Sequence, residues 1–264
     1  MPHPAMTVRL LNAAALAAIL AAPAARAEDP AFPGVVAPTE SASHWGLGLG
    51  VGTEHGLYKG ISSRTTAIPL ILYDNEYVHV LGSTVDLKLP SAAGVNFALR
   101  AKFDLGSGYK AKDSSYLTGM AERKGSVWLG AAATWENEVA TLSAQWLKAS
   151  GASKGQQFEI NAEHAFSFGR LQLIPHIGTQ WSDKKYVDYY YGVLPSEATA
   201  LRPAYAGNST TDFSAGLRIN YALQRNQLIL LDISDKHRGA NISNSPLVDK
   251  ASAPSLRIGY LYKF

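Results

Sequence analysis

Apolar residues recur at every second position over stretches of about ten residues, and the last of these stretches ends on Phe264. A strand turns successive side chains to opposite faces, so each stretch has one apolar face and one polar face. In 94–105, Val95, Phe97, Leu99, Ala101, Phe103 and Leu105 fall on one side, and Asn96, Ala98, Arg100, Lys102 and Asp104 on the other. The same division sets Phe158, Ile160, Ala162, His164 and Phe166 against Glu159, Asn161 and Glu163. It also sets Phe213, Ala215, Leu217, Ile219 and Tyr221 against Ser214, Gly216, Arg218 and Asn220. A soluble β-sandwich alternates too. Strands of about ten residues, however, match the length that crosses a bilayer at a tilt. Charges at mid-strand on the polar face suit a barrel lumen.

The final stretch, SLRIGYLYKF, puts Leu256, Ile258, Tyr260, Tyr262 and Phe264 on one face, and Arg257 and Lys263 on the other. It resembles the C-terminal signal read by the barrel-assembly machinery, so Ile258, Tyr260, Tyr262 and Phe264 are the candidate recognition residues and that machinery an expected partner.

The N-terminus reads as a targeting segment. Arg9 precedes an apolar run from Leu10 to Ala22, too short to span a bilayer, and Ala25-Arg26-Ala27 supplies a small-x-small cleavage pattern. The expected division is a signal peptide over 1–27, a flexible Pro/Ala/Ser-rich periplasmic segment over 28–43, and a barrel over 44–264. An uncleaved N-terminal anchor is the alternative. The expected location after export is the outer membrane of a Gram-negative cell, with outer-membrane lipid around the barrel.

Composition excludes several kinds of chemistry. The chain has no cysteine, so disulfides, thiolate metal sites and cysteine nucleophiles are absent. Removing Arg9 and Arg26 from the 24 basic residues leaves 22 against 21 acidic ones, a balance that gives no basic face for nucleic acid. The seven histidines show no metal-ligand spacing. Gly46, Gly48, Gly50 and Gly52 do not have the spacing of a dinucleotide loop, and their period of two places them on one strand face. There they leave lumen space for long side chains or form a tight barrel seam. No cofactor is expected. His164 and Ser167 are an odd number of residues apart, so one strand sends them to opposite faces and they form no dyad. Asp183, Asp188 and His237 are loop candidates for an outer-rim protease of the omptin kind. The balance of these observations is against an enzyme.

The expected fold is an all-β, transmembrane, antiparallel up-and-down barrel. Candidate strands lie near 44–53, 65–73, 76–81, 84–89, 94–105, 125–136, 138–148, 155–168, 170–181, 210–223, 226–236 and 254–264. Bacterial barrels have even strand numbers, with short periplasmic turns and longer outer loops. That parity holds at twelve strands only if 76–89 forms two short strands bent near Gly82; ten is the alternative. The long outer connections are then 54–64, 106–124, 182–209 and 237–253.

The lumen face carries Arg100, Lys102, Arg218 and Arg257 against Glu159 and Glu163. Mixed signs across a narrow barrel favour internal ion pairing, leaving either a filled lumen or a narrow channel. The connection at 182–209 is the longest and carries Tyr189, Tyr190, Tyr191 and Arg202. It reads either as a self-packed cap or as a loop offering flat aromatic surfaces and an arginine fork for anions.

The chain resembles the MipA/OmpV family (MltA-interacting protein) over essentially the whole mature length. The matching pieces are the G-L-G-L-G-V-G run at 46–52, Pro69 and Tyr73 in IPLILYDNEYV, and Gly119-Met120 with Arg123 in YLTGMAERK. Tyr190-Tyr191-Gly192-Val193, Arg202-Pro203-Ala204-Tyr205 and Phe264 complete the set. The resemblance implies an outer-membrane barrel. For the founding member it implies a scaffold that links a lytic murein transglycosylase to a peptidoglycan synthase. Other members look like porin-like, adhesion or stress-response proteins. No binding motif for the murein enzymes carries over by residue. A scaffold with periplasmic murein partners and a narrow porin-like or surface-binding barrel are therefore the two expectations. Short periplasmic turns beside long aromatic outer loops favour the second.

Overall fold

The computed structural model describes residues 44–104 and 107–264. The expected signal peptide (1–27), the segment 28–43 and Leu105 lie outside the described residues. The strands are β1 (His44–His55), β2 (Ser63–Asp74), β3 (Val78–Leu81), β4 (Thr84–Ala92), β5 (Val95–Phe103), β6 (Val127–Glu136), β7 (Thr141–Ser150), β8 (Gln156–Glu163), β9 (Phe166–Phe168), β10 (Leu171–Ser182), β11 (Thr210–Gln224), β12 (Gln227–His237) and β13 (Ser252–Lys263). Every pairing is antiparallel. The sheet closes because β13 pairs with β1, with Gly50 opposite Gly259, and β10 pairs with β11. Closure removes the free edges that lipid could not hydrate.

The ring has twelve staves, because β8 and β9 are one strand. Both pair with β10 in a single register, Glu163 opposite His176 and Phe166 opposite Leu173. Between them His164 faces Pro175, which has no N–H to donate, so the ladder is interrupted there without a change of course. The His164 N–H still reaches the Pro175 carbonyl, at 3.3 Å. The pair β3–β4 is the short hairpin that the parity argument required. Leu81 faces Thr84 across a two-residue turn, where Gly82 has a φ of 57°.

Outward-facing residues are apolar around the ring: Leu47, Leu49, Leu87, Leu99, Leu129, Ile160, Ile177, Ile233 and Ile258 are all exposed. So wide a band of exposed apolar surface is incompatible with water and is what a bilayer covers. Aromatic side chains mark its two borders. Trp45, Phe97, Phe168, Tyr221, Tyr262 and Phe264 lie at the end holding the short turns. Phe103, Trp146, Phe158, Trp181 and Phe213 lie at the end holding the long loops.

The interior divides by height. At the periplasmic end Leu70, Leu72, Leu228, Leu230 and Leu261 form a buried apolar cluster. The glycine face of β1 makes room for it: a Cβ on Gly46 would lie 3.2 Å from both Leu261 Cδ1 and Leu72 Cβ. Polar residues line the middle. At the outer end the loops form a second core, described below.

Candidate functional site: the charged lumen and its cap

Two hydrogen-bonded belts run along the lumen wall at mid-height. In one, Arg100 grips Asp86 with two bonds, Nε to Oδ1 at 2.8 Å and Nη2 to Oδ2 at 2.7 Å. Arg100 also donates to Gln145, which donates to Glu159, which accepts a further bond from Asn161. In the other, Arg218 pairs with Glu163 at 3.3 Å and lies 3.9 Å from Asp232. Asp232 accepts contacts from His176 at 3.1 Å and from Arg257 at 3.4 Å. Neighbouring staves place these groups because residues two apart on a strand share the lumen face. Pairing offsets the cost of taking the charges out of bulk water. Lys102, also on this face, is exposed to the cavity that the belts surround. That cavity has a volume of about 800 Å³.

The outer loops meet in one core. Leu57 and Tyr58 come from the β1–β2 loop, and Tyr109, Leu117 and Met120 from the β5–β6 loop. Tyr186, Val187, Tyr190, Tyr191 and Val193 come from the β10–β11 loop, and Ile242, Leu247 and Val248 from the β12–β13 loop. All share one buried cluster with Trp128, Leu147 and Ala149 at the outer ends of β6 and β7. Loops from four points around a ring that share one core must cross its mouth, so the barrel is capped.

Residues 182–209 contain a helix that periodicity did not reveal, α1 (Lys184–Tyr191). The Asp183 side chain caps it by accepting from the Tyr186 N–H. Tyr190 and Tyr191 face into the cap and are buried, and the Tyr190 hydroxyl donates to the Lys124 carbonyl at 2.9 Å. Burial pushes the phenols of Tyr109 and Tyr190 up to about 12, so they remain neutral. Tyr189 is partly buried. Its ring sits under the Arg123 guanidinium, 5.6 Å away, and its hydroxyl accepts from the Lys124 N–H.

Arg202 is the residue whose expected role changes. It is 3% exposed, and all three guanidinium nitrogens donate to backbone carbonyls, those of Tyr116, Thr118 and Glu197. It ties the β5–β6 loop to the β10–β11 loop and presents no fork to an anion. Loop carbonyls that lack strand partners need donors, and a buried arginine supplies several at once. Asp183 and Asp188 are likewise engaged by the fold, the second through the Gly207 N–H. Arg123 with Glu197 is a pair that sequence reasoning does not reach: Arg123 stands out only as part of a motif, and nothing in the spacing joins it to Glu197. At the opposite end Ile258, Tyr260, Tyr262 and Phe264 face outward, and the Phe264 N–H closes the seam by donating to the Trp45 carbonyl.

An apolar exterior between two aromatic borders, a charged lumen and a closed antiparallel ring define an outer-membrane β-barrel of the Gram-negative type. The chain belongs to the MipA family, described as MltA-interacting protein MipA, which matches residues 47–264. Several of its relatives carry outer-membrane names. It is 25% identical to the outer membrane protein YiaT of Escherichia coli O157:H7, over 85% of this chain and 92% of that one. It is 29% identical to the outer membrane protein Omp26La of Vibrio anguillarum, over 56% and 58%. It is 24% identical to the MltA-interacting protein of Escherichia coli K12, over 83% and 89%. These similarities and the barrel place the protein in the outer membrane.

Proposed function

We propose that this barrel is a non-enzymatic membrane anchor that docks periplasmic murein-remodelling enzymes, a lytic transglycosylase and a peptidoglycan synthase. The observation that carries this reading is the braced and capped barrel. Ion pairs bracing the lumen wall, the apolar cluster at the periplasmic end and the packed outer cap make a ring organised for rigidity rather than for flow. A rigid ring fixed in the outer membrane suits a docking role, and a relative named MltA-interacting protein supports the choice of partner. The periplasmic turns carry Tyr77 and Val139, both exposed, and the segment 28–43, read from its composition as a periplasmic lead-in, is the further element proposed for docking. The test is a binding titration of purified transglycosylase against the immobilised mature chain, with and without residues 28–43. Saturable binding that weakens on removal of that segment supports docking; no binding by the intact chain contradicts it.

A second reading, a narrow porin-like channel or a surface-binding barrel, is favoured by the 800 Å³ lumen cavity and by the size of the outer cap. Planar-bilayer conductance of the native protein separates it from the first: steady open-channel current contradicts a closed anchor.

A further inference from the structure

The glycine face of β1 has a consequence on the lumen side beyond barrel closure. Gly50 and Gly259 face one another across the β1–β13 seam. A Cβ on Gly259 would lie 2.8 Å from Leu70 Cδ1, and one on Gly50 would lie 2.9 Å from the Ile258 carbonyl oxygen. The missing side chains let Leu70 and the two strands pack closely at this seam, and beside it lies a recess of about 190 Å³ that Gly50 and Gly259 line together with Ile68, Leu70 and Leu230. The recess meets the main lumen cavity at Arg218, Asp232 and Arg257, which line both.

The three charged groups at this junction are unequally engaged. Asp232 accepts from His176, Ser234 and Arg257, and Arg218 pairs with Glu163. Among the described residues Arg257 has one polar contact, with Asp232 at 3.4 Å, and its side chain is 53% exposed inside the barrel. Its stem passes over Gly52, where a Cβ would stand 3.3 Å from the Arg257 Cγ, and this holds the guanidinium toward the cavity. A planar cation with donors to give, set at the mouth of an apolar recess, complements a carboxylate attached to a hydrocarbon.

We propose that the lumen binds a small amphiphilic carboxylate, its hydrocarbon in the recess beside the Gly50–Gly259 seam and its carboxylate on Arg257. Such a ligand covers apolar surface that the cavity leaves exposed and gives Arg257 a full partner. The site is independent of the docking reading, because it lies inside the ring and makes no use of the periplasmic turns.

The test uses the full mature chain in lipid nanodiscs, with octanoate as probe, titrated calorimetrically against empty nanodiscs as the blank. Octanoate is expected to saturate one site per barrel, and acetate and octylammonium are expected not to displace it. Arg257→Gln should weaken binding by at least about tenfold, the loss of a hydrogen bond to a charged group, and Arg257→Lys should restore part of it. Uptake no greater than that of empty nanodiscs overturns the proposal, as does unchanged binding by a folded Arg257→Gln barrel. Equal competition by acetate also overturns it, because the recess would then contribute nothing. If Arg257→Gln does not fold, the native protein's discrimination between octanoate and octylammonium decides the matter.

Discussion

Arg123 and Glu197, 74 residues apart in sequence, form a buried ion pair within the cap: Arg123 Nη2 lies 2.9 Å from one carboxylate oxygen of Glu197 and 3.1 Å from the other. Their side chains are 9% and 6% exposed. Glu197 also accepts from the Ala121 and Leu194 N–H groups, and Arg123 donates to the Tyr189 carbonyl. The pair therefore joins the β5–β6 loop to the β10–β11 loop. Removing one partner of a buried pair leaves a charge without compensation, at a cost of about 3–5 kcal/mol. Glu197→Ala is predicted to open the cap while the barrel stays intact. Limited proteolysis checks this: new cleavages should fall within 107–126 and 183–209, and the strands should remain protected.

The same carboxylate sets an acid limit on the cap. Burial alone raises its pKa, but the backbone N–H groups of Ala121 and Leu194 and the Arg123 guanidinium outweigh that and hold it below the ordinary carboxylate value. A depressed folded-state pKa adds stability above the ordinary carboxylate range, and that stability is lost as pH falls through the folded value. Proteolytic opening of the native cap is expected to rise with acidification below that range. Glu197→Gln should flatten the profile.

Side-chain direction gives a paired prediction. Leu99 faces lipid near mid-strand and is 49% exposed, and Ala98 faces the lumen. Leu99→Arg should cost roughly 2–4 kcal/mol, the penalty for a cation at the bilayer midplane. Ala98→Arg should be better tolerated. Urea titration of the heat-modifiable folded band measures both. Equal losses would mean that the two faces are alike.

Deleting residues 184–206 removes α1 and Arg202 and so withdraws one quarter of the loops that meet over the mouth. The barrel is expected to fold and its single-channel conductance to rise. Unchanged conductance from a folded barrel would show that the loop does not obstruct the lumen.

Phe264 separates assembly from stability. Its side chain is 74% exposed and touches Tyr262, with ring centroids 5.1 Å apart, so its removal sacrifices little packing. Deletion is predicted to lower the yield of folded protein in cells and to trigger envelope stress, while barrels refolded in detergent keep nearly native urea stability. Normal insertion in cells would dissociate Phe264 from the assembly signal.

The wall was readable in the sequence because alternation is a local property: Val95 to Phe103 divide between lipid and lumen as their spacing requires. The strand count was readable through parity, which demanded the β3–β4 hairpin at Gly82. The cap was not readable. Lys184–Tyr191 is short, tyrosine-rich and weak in helix propensity, and its fold comes from packing against Trp128, Leu117 and Ile242. An Asp183 cap three residues ahead of Tyr186 was the available local signal. Arg202 and Glu197 acquire their roles from carbonyls and N–H groups far away in the chain, and no spacing rule encodes that.

The most direct test of the membrane-barrel account is a single-cysteine spin-label scan of residues 95–103 in reconstituted protein, which the absence of native cysteine makes clean. Accessibility to oxygen, concentrated in lipid, and to an aqueous nickel reagent is measured at each position. The account predicts alternation with a period of two: labels at 95, 97, 99, 101 and 103 respond to oxygen, and those at 96, 98, 100 and 102 do not. A helical period, or nickel access equal on both faces, would contradict it.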